Sequence, residues 1–142
     1  MELTGFRRVV LDTTACIYFL QGSASDRRHL LVEPVVRAGE AGDTELLLST
    51  ITVTELLTAP MRAGDRQAQA RAHLFSYEIC RPVPVDVTTA EKAARIRARY
   101  GLRTPDAVIC ATGLTSQADA VIGNDARWKR VEEISYLHLD EL

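Results

Sequence analysis

Four acidic residues, Asp12, Glu55, Asp106 and Asp125, are the side chains best placed to do chemistry together. Asp12 closes the apolar run Val9-Val10-Leu11, and Asp125 follows Ala120-Val121-Ile122 across Gly123-Asn124. Glu55 lies six residues beyond Ser49, the end of Leu46-Leu47-Leu48-Ser49, and Asp106 follows Thr104-Pro105 at a helix start. Each acid alone has a structural explanation, because a carboxylate at a helix N-terminus accepts free N–H groups and complements the positive end of the macrodipole. Convergence asks for more. Carboxylates within a few ångströms raise one another's pKa, and a bound divalent cation removes that cost. Oxygen ligands with no Cys or His beside them select Mg²⁺ or Mn²⁺ over Zn²⁺.

Other chemistries lack their signals. Asp119 sits at the opposite end of the run that Asp125 follows, roughly 10–15 Å away at ~3.3 Å per residue. Asp43, Asp65 and Asp86 have the settings of turn or cap residues, and His29, His73 and His138 have neither a paired base nor metal-ligand spacing. Ser49 has no G-x-S-x-G context, and no P-loop or G-x-G-x-x-G occurs. Cys16, Cys80 and Cys110 are odd in number, distant and flanked by apolar residues, as expected of buried thiols in a reducing cytosol.

The elements that must position the acids alternate along the chain. Val9–Leu11 predicts a strand, and Asp12-Thr13-Thr14 starts a helix through Ile17 and Leu20. A helix from about Asp26 to Ala38, ending at Gly39 and Gly42, precedes a strand at Leu46–Ser49 buried on both faces. The capping-box spacing of Thr52 to Glu55 opens a helix to Ala63, stopped by Gly64, and Asp65–Cys80 forms another. Pro82-Val83-Pro84-Val85 is an edge strand. Thr88 to Glu91 repeats the capping-box spacing for a helix to Tyr100, and Thr104-Pro105-Asp106 caps the next, with proline at its first position. Gly113 inside that helix signals close packing. Ala120–Ile122, a turn around Trp128 and a strand near Ser135–Leu139 complete an α/β chain. Such alternation implies a three-layer α/β/α domain whose central, mainly parallel sheet has about five strands. In such a sheet the functional crevice lies beyond the carboxyl ends of the strands, which is where Asp12 and Asp125 fall.

Length and composition bound the rest. The 142 residues, 46% apolar and 25% charged, are expected to form one domain over 1–142, with no disorder or low complexity. Residues 1–8 lack the pattern of a cleavable leader and no run reaches the ~20 apolar residues of a membrane span, so the expected location is cytoplasmic. A net charge of −2 gives no global attraction to polyanions, although all but Lys92 and Lys129 of the 17 cations are arginine and several lie between Arg95 and Arg103.

Val9 to Leu20 (VVLDTTACIYFL), Ser49 to Leu57 (STITVTELL), Tyr100 to Leu114 (YGLRTPDAVICATGL) and Ala120 to Trp128 (AVIGNDARW) together resemble the PIN-domain family, and within it the small VapC-type toxins. The resemblance spans essentially the whole chain. It implies an α/β/α fold and an endoribonuclease that depends on Mg²⁺, with Mn²⁺ as substitute. It also implies an RNA substrate, a homodimer and a separately encoded antitoxin. The family's acidic positions carry over to Asp12, Glu55, Asp106 and Asp125, of which Asp12, Asp106 and Asp125 are expected to hold metal, with Thr13 as a hydroxyl neighbour. One departure stands out: two residues before the last acid the family commonly has Thr or Ser, and here it is Gly123, with Asn124 a candidate to take over the missing contact. Arg103 is a candidate phosphate ligand or an ion-pair partner, and Arg95 and Arg99 share a helix face with the setting of a solvated surface. Two further readings stay open: an inactive PIN-like module binding RNA or protein, and a phosphoacceptor domain of receiver type. The latter is expected to carry a Lys after a late strand.

Overall fold

The computed structural model describes residues 5–142, so the leader-free reading of residues 1–8 falls partly outside the described residues. Five strands, β1 (Arg8–Leu11), β2 (Glu45–Ser49), β3 (Arg81–Val83), β4 (Ala120–Gly123) and β5 (Tyr136–His138), form one parallel sheet in the order β3-β2-β1-β4-β5. Six α-helices join them: α1 (Thr13–Gln21), α2 (Arg27–Glu40), α3 (Thr50–Ala63), α4 (Arg66–Leu74), α5 (Val87–Tyr100) and α6 (Thr104–Thr115). The expected α/β architecture is present, with the proline-containing β3 at an edge as its missing N–H requires.

The period-two alternation of the strands divides the core in two. Val9, Leu11, Leu46, Leu48, Ala120 and Ile122 face one side and pack with Cys16 of α1, Val32 and Val36 of α2, Leu56 of α3 and Phe75 of the turn after α4. Val10, Leu47 and Val121 face the other and pack with Ala93 and Ile96 of α5, Val108 and Ala111 of α6, and Trp128. All three cysteines are free and buried. Burial pushes the Cys80 and Cys110 thiols up to about 12, so they behave as packing groups.

Several helix starts differ from expectation. Thr52 does not cap α3: the helix follows β2 without a loop, and the Ser49 hydroxyl accepts from Ile51 N–H at 3.2 Å, which frees Thr52 to be buried. Thr88 is likewise displaced as a cap by Asp86, whose carboxylate accepts from Thr89 N–H at 2.8 Å. Thr104 is already helical, so Arg103 occupies the cap position with no side-chain bond, and Pro105 follows the first helical residue. The helix expected over Asp65–Cys80 narrows to α4 and then widens into a π-turn over Phe75–Ile79, closed by Cys80 N–H donating to the Phe75 carbonyl at 2.9 Å. That wider turn carries both Phe75 and Ser76 into the interior.

Gly113 is the close approach its sequence context suggests: a Cβ there would lie 2.6 Å from Val121 Cγ2 of β4. Gly113→Ala is therefore expected to destabilise the fold by about 1–3 kcal/mol, against the gain from helix propensity. Urea denaturation measures this, and an unchanged or raised midpoint would contradict it.

Candidate active site

Chain direction sets the location. From β1 the chain builds outward through β2 and β3, then returns to place β4 on the other side of β1. The order therefore reverses between β1 and β4, the place where an open parallel sheet leaves a crevice at its carboxyl edge. Asp12 leaves β1 there and Asp125 leaves β4. Asp12 N–H donates to the Ile122 carbonyl at 2.9 Å, which fixes the two exits side by side.

Asp12 is only 3% exposed. Its Oδ1 accepts from Ala15 N–H at 2.7 Å, capping α1, and its Oδ2 accepts from Asn124 N–H at 3.3 Å. No guanidinium or ammonium pairs with it among the described residues. Burial, then the negative charges of Asp106 and Asp125, push its carboxyl up to about 6 against the partial relief of those two N–H bonds. The capping role and the clustered-acid role thus belong to the same side chain.

The other acids have found partners. Asp125 caps the 3₁₀ turn Ala126–Arg130 through Arg127 N–H at 2.9 Å, and its Oδ2 meets Arg127 Nη2 at 2.7 Å. The Arg127 side chain holds its carboxyl below the usual range. Asp106, in the first turn of α6, accepts from Arg103 Nε at 3.2 Å. Glu55 accepts from Thr13 Oγ1 at 2.8 Å, and Thr13 Oγ1 also lies 3.1 Å from Thr52 Oγ1. Among the described residues, no three acidic, His or Cys side chains are drawn into a ready-made metal cage. Asp106 and Asp125 are near enough to raise Asp12, and Glu55 and Asp106 both act on Arg103, but each outer carboxylate turns to a neighbouring donor.

Asn124 does not extend its side chain over this site as expected: Nδ2 donates to Tyr18 Oη at 2.9 Å, and only its backbone N–H reaches Asp12. Space beside Gly123 is instead occupied from β5. A Cβ on Gly123 would lie 2.4 Å from Asp12 Oδ2 and 2.8 Å from Tyr136 Oη, and that hydroxyl accepts from Asp125 N–H at 3.0 Å. Tyr136 and Arg127 carry no motif. Their only sequence signals are the missing side chain at Gly123 and the Asp-x-Arg spacing from Asp125.

The excluded groups are elsewhere. Asp119 accepts from Arg7 and Arg8 N–H at 2.7 and 3.0 Å, at the amino end of the sheet. His29 stacks on Phe19, His73 on Tyr77, and His138 accepts from Asp140 N–H. Arg99 pairs with Glu132 and Glu133, in keeping with a solvated face. Lys129 does follow β4, yet its ammonium pairs with Glu141 rather than with the acids, unlike a receiver-type lysine.

The all-oxygen donor set fits a hard divalent cation, and the specific ground is Asp12: a buried carboxylate with no positive partner. Its metal-free state should be costly in a pH-dependent way. With a folded pKa raised from 3.8 to about 6, the native state keeps a proton that the unfolded chain has released, so stability falls as pH rises through that window and the loss is complete above it. The shift corresponds to about 3 kcal/mol. Asp12→Asn keeps an amide oxygen for the α1 cap and is expected to abolish this fall. Urea denaturation of both proteins in EDTA across the window tests it, and parallel stability curves would contradict it.

The sequence profile of the PIN domain family matches residues 9–134. Among solved structures, VapBC2 from Rickettsia felis bound to a promoter DNA fragment is similar at 14% identity, covering 92% of this chain and 98% of that one, with a TM-score of 0.73. A toxin–antitoxin complex from Klebsiella pneumoniae is 18% identical, covering 94% and 99%, with a TM-score of 0.72. VapC20 from Mycobacterium tuberculosis, a toxin that cleaves the sarcin–ricin loop, is 19% identical over 87% and 95%, with a TM-score of 0.66. At these identities the likeness is one of fold. No curated protein matches the chain.

Proposed function

The chain belongs to the PIN domain family, and we propose that it is a Mg²⁺-dependent endoribonuclease, the toxin of a toxin–antitoxin pair, that hydrolyses RNA phosphodiester bonds. The observation that carries this reading is the buried Asp12 carboxylate, without a cationic partner, at the strand-order reversal and within reach of the charges of Asp106 and Asp125. Asp12, Asp106 and Asp125 would hold the cation, which when bound supplies an activated water and neutralises charge at the leaving oxygen; Mn²⁺ would substitute. Glu55 is kept beside the site by Thr13, and its carboxylate is exposed enough to turn toward substrate or water.

Arg103 and Arg127 stand at the rim with exposed guanidinium groups, each on an acid. With those acids holding a cation, the guanidinium groups would be free to make forked hydrogen bonds to RNA phosphates. Binding is then local, as the net charge of −2 requires. The fold likeness to toxin–antitoxin complexes favours a cognate antitoxin, and a homodimer is the assembly that the family resemblance implies. An RNA substrate and three free buried thiols favour the cytoplasm, and among the described residues no helix is long and apolar enough to cross a membrane. The absence of a side-chain hydroxyl at Gly123 favours the inactive-module alternative, and the Tyr136 hydroxyl beside that position offsets it.

Purified protein incubated with tRNA, rRNA and mRNA fragments should make discrete internal cuts with Mg²⁺ and none with EDTA, as mapped by primer extension. Asp12→Asn and Asp106→Asn should each lower the rate by about 100-fold or more while remaining folded. Cleavage by a clean Asp12→Asn preparation near the wild-type rate would contradict the assignment.

A further inference from the structure

We propose that Tyr136 is a positioning residue of the acid site, its hydroxyl filling the space left by Gly123 and holding the Asp125 turn at a set distance from the Asp12 carboxylate. The inference deepens the metallonuclease reading and rests on it. Tyr136 pairs with Val121 in the β4–β5 ladder, two residues before Gly123 on the same strand face. From there its side chain leans along the strand, and its ring sits 5.6 Å from that of the buried Trp128. The hydroxyl that emerges at the carboxyl edge accepts from Asp125 N–H at 3.0 Å. It also lies 2.8 Å from the position a Gly123 Cβ would take, while Asp12 Oδ2 lies 2.4 Å from that same position. Any side chain at 123 would collide with both groups, so the glycine and the tyrosine are structurally a pair.

The hydrogen-bond inventory gives the hydroxyl its role. One of its lone pairs is taken by the Asp125 N–H, and the phenol O–H itself remains a donor. Its own proton is then available to an oxygen on the Asp12 side, either the carboxylate or a water beside it. A single group thus accepts from the backbone carrying one acid and presents a donor toward another, on a ring anchored in the core. Asn124, the residue better placed in sequence, spends its amide on Tyr18.

A double-mutant cycle tests the pair with two readouts that need no RNA: Mn²⁺ affinity by calorimetric titration, and hydrogen exchange at the Asp125 amide in metal-free protein. Tyr136→Phe, which keeps the ring packing, should weaken Mn²⁺ binding about tenfold. It should also speed Asp125 exchange about tenfold while the Val121 and Ile122 amides stay protected. Gly123→Ser alone should weaken Mn²⁺ binding as well, because its Cβ meets both the Asp12 carboxylate and the tyrosine oxygen. Combined with Tyr136→Phe, which removes the tyrosine clash and leaves the one with Asp12, it should weaken binding by less than the two single losses added together. Unchanged Mn²⁺ affinity and Asp125 exchange in Tyr136→Phe, or a double variant as weak as the two losses added together, would overturn the inference. Mn²⁺ binding that is absent, or that survives Asp12→Asn, would instead contradict the metallonuclease reading and the metal-positioning role with it. Asp125 exchange would then report separately on the backbone hold.

Discussion

A carboxylate sealed from water without a positive partner is the constraint around which this molecule is arranged. Asp12 carries it because the chain leaves the central strand β1 and enters α1 with no intervening loop, so one side chain must cap the helix and face the crevice between β1 and β4. Two backbone N–H groups relieve part of the burial cost, and the charges of Asp106 and Asp125 add to it. The surrounding acids differ in kind. Each has a donor within reach, and Asp106 and Asp125 each meet a guanidinium that can leave because it lies at the surface. The site is therefore neutralised at its rim and uncompensated at its centre, an arrangement that favours a small cation entering from solvent.

The fold serves this arrangement through rigid elements. The alternating faces of β1, β2 and β4 are packed on both sides, so the positions of Asp12 and Asp125 are set by strand register rather than by mobile loops. Position 123 shows how closely such register is read out. A glycine in β4 and a tyrosine in β5, thirteen residues later, meet at one point because the two strands pair in parallel with Val121 opposite Tyr136.

Much of this was legible in the sequence where local chemistry decides it. Short β-branched runs ending in an acid give β1 with Asp12 and β4 with Asp125, and Gly113 within an apolar helix signals close packing, although not that its neighbour is Val121. Asp106 was legible only through its motif, because topology does not bring the start of α6 to the strand ends in any obvious way. The capping-box readings at Thr52 and Thr88 failed for a common reason: Ser49 and Asp86 lie just upstream and satisfy the free N–H groups first. The Tyr136 contact was not legible, since nothing local distinguishes it from other aromatic strand residues. Nor was the pairing of Arg127 with Asp125, which depends on a 3₁₀ turn rather than on a helix.

The central claim is that the cost of Asp12 is reversed by a divalent cation, and equilibrium unfolding at neutral pH with and without Mg²⁺ tests it most directly. In EDTA, Asp12→Asn should be more stable than wild type, because it deletes one buried charge. With Mg²⁺ at about 100 times its dissociation constant the wild type should gain about 2.7 kcal/mol while the variant gains little, so that the difference between the two closes or reverses. Equal responses of the two proteins to Mg²⁺, or a wild type that is the more stable of the two without metal, would contradict the account.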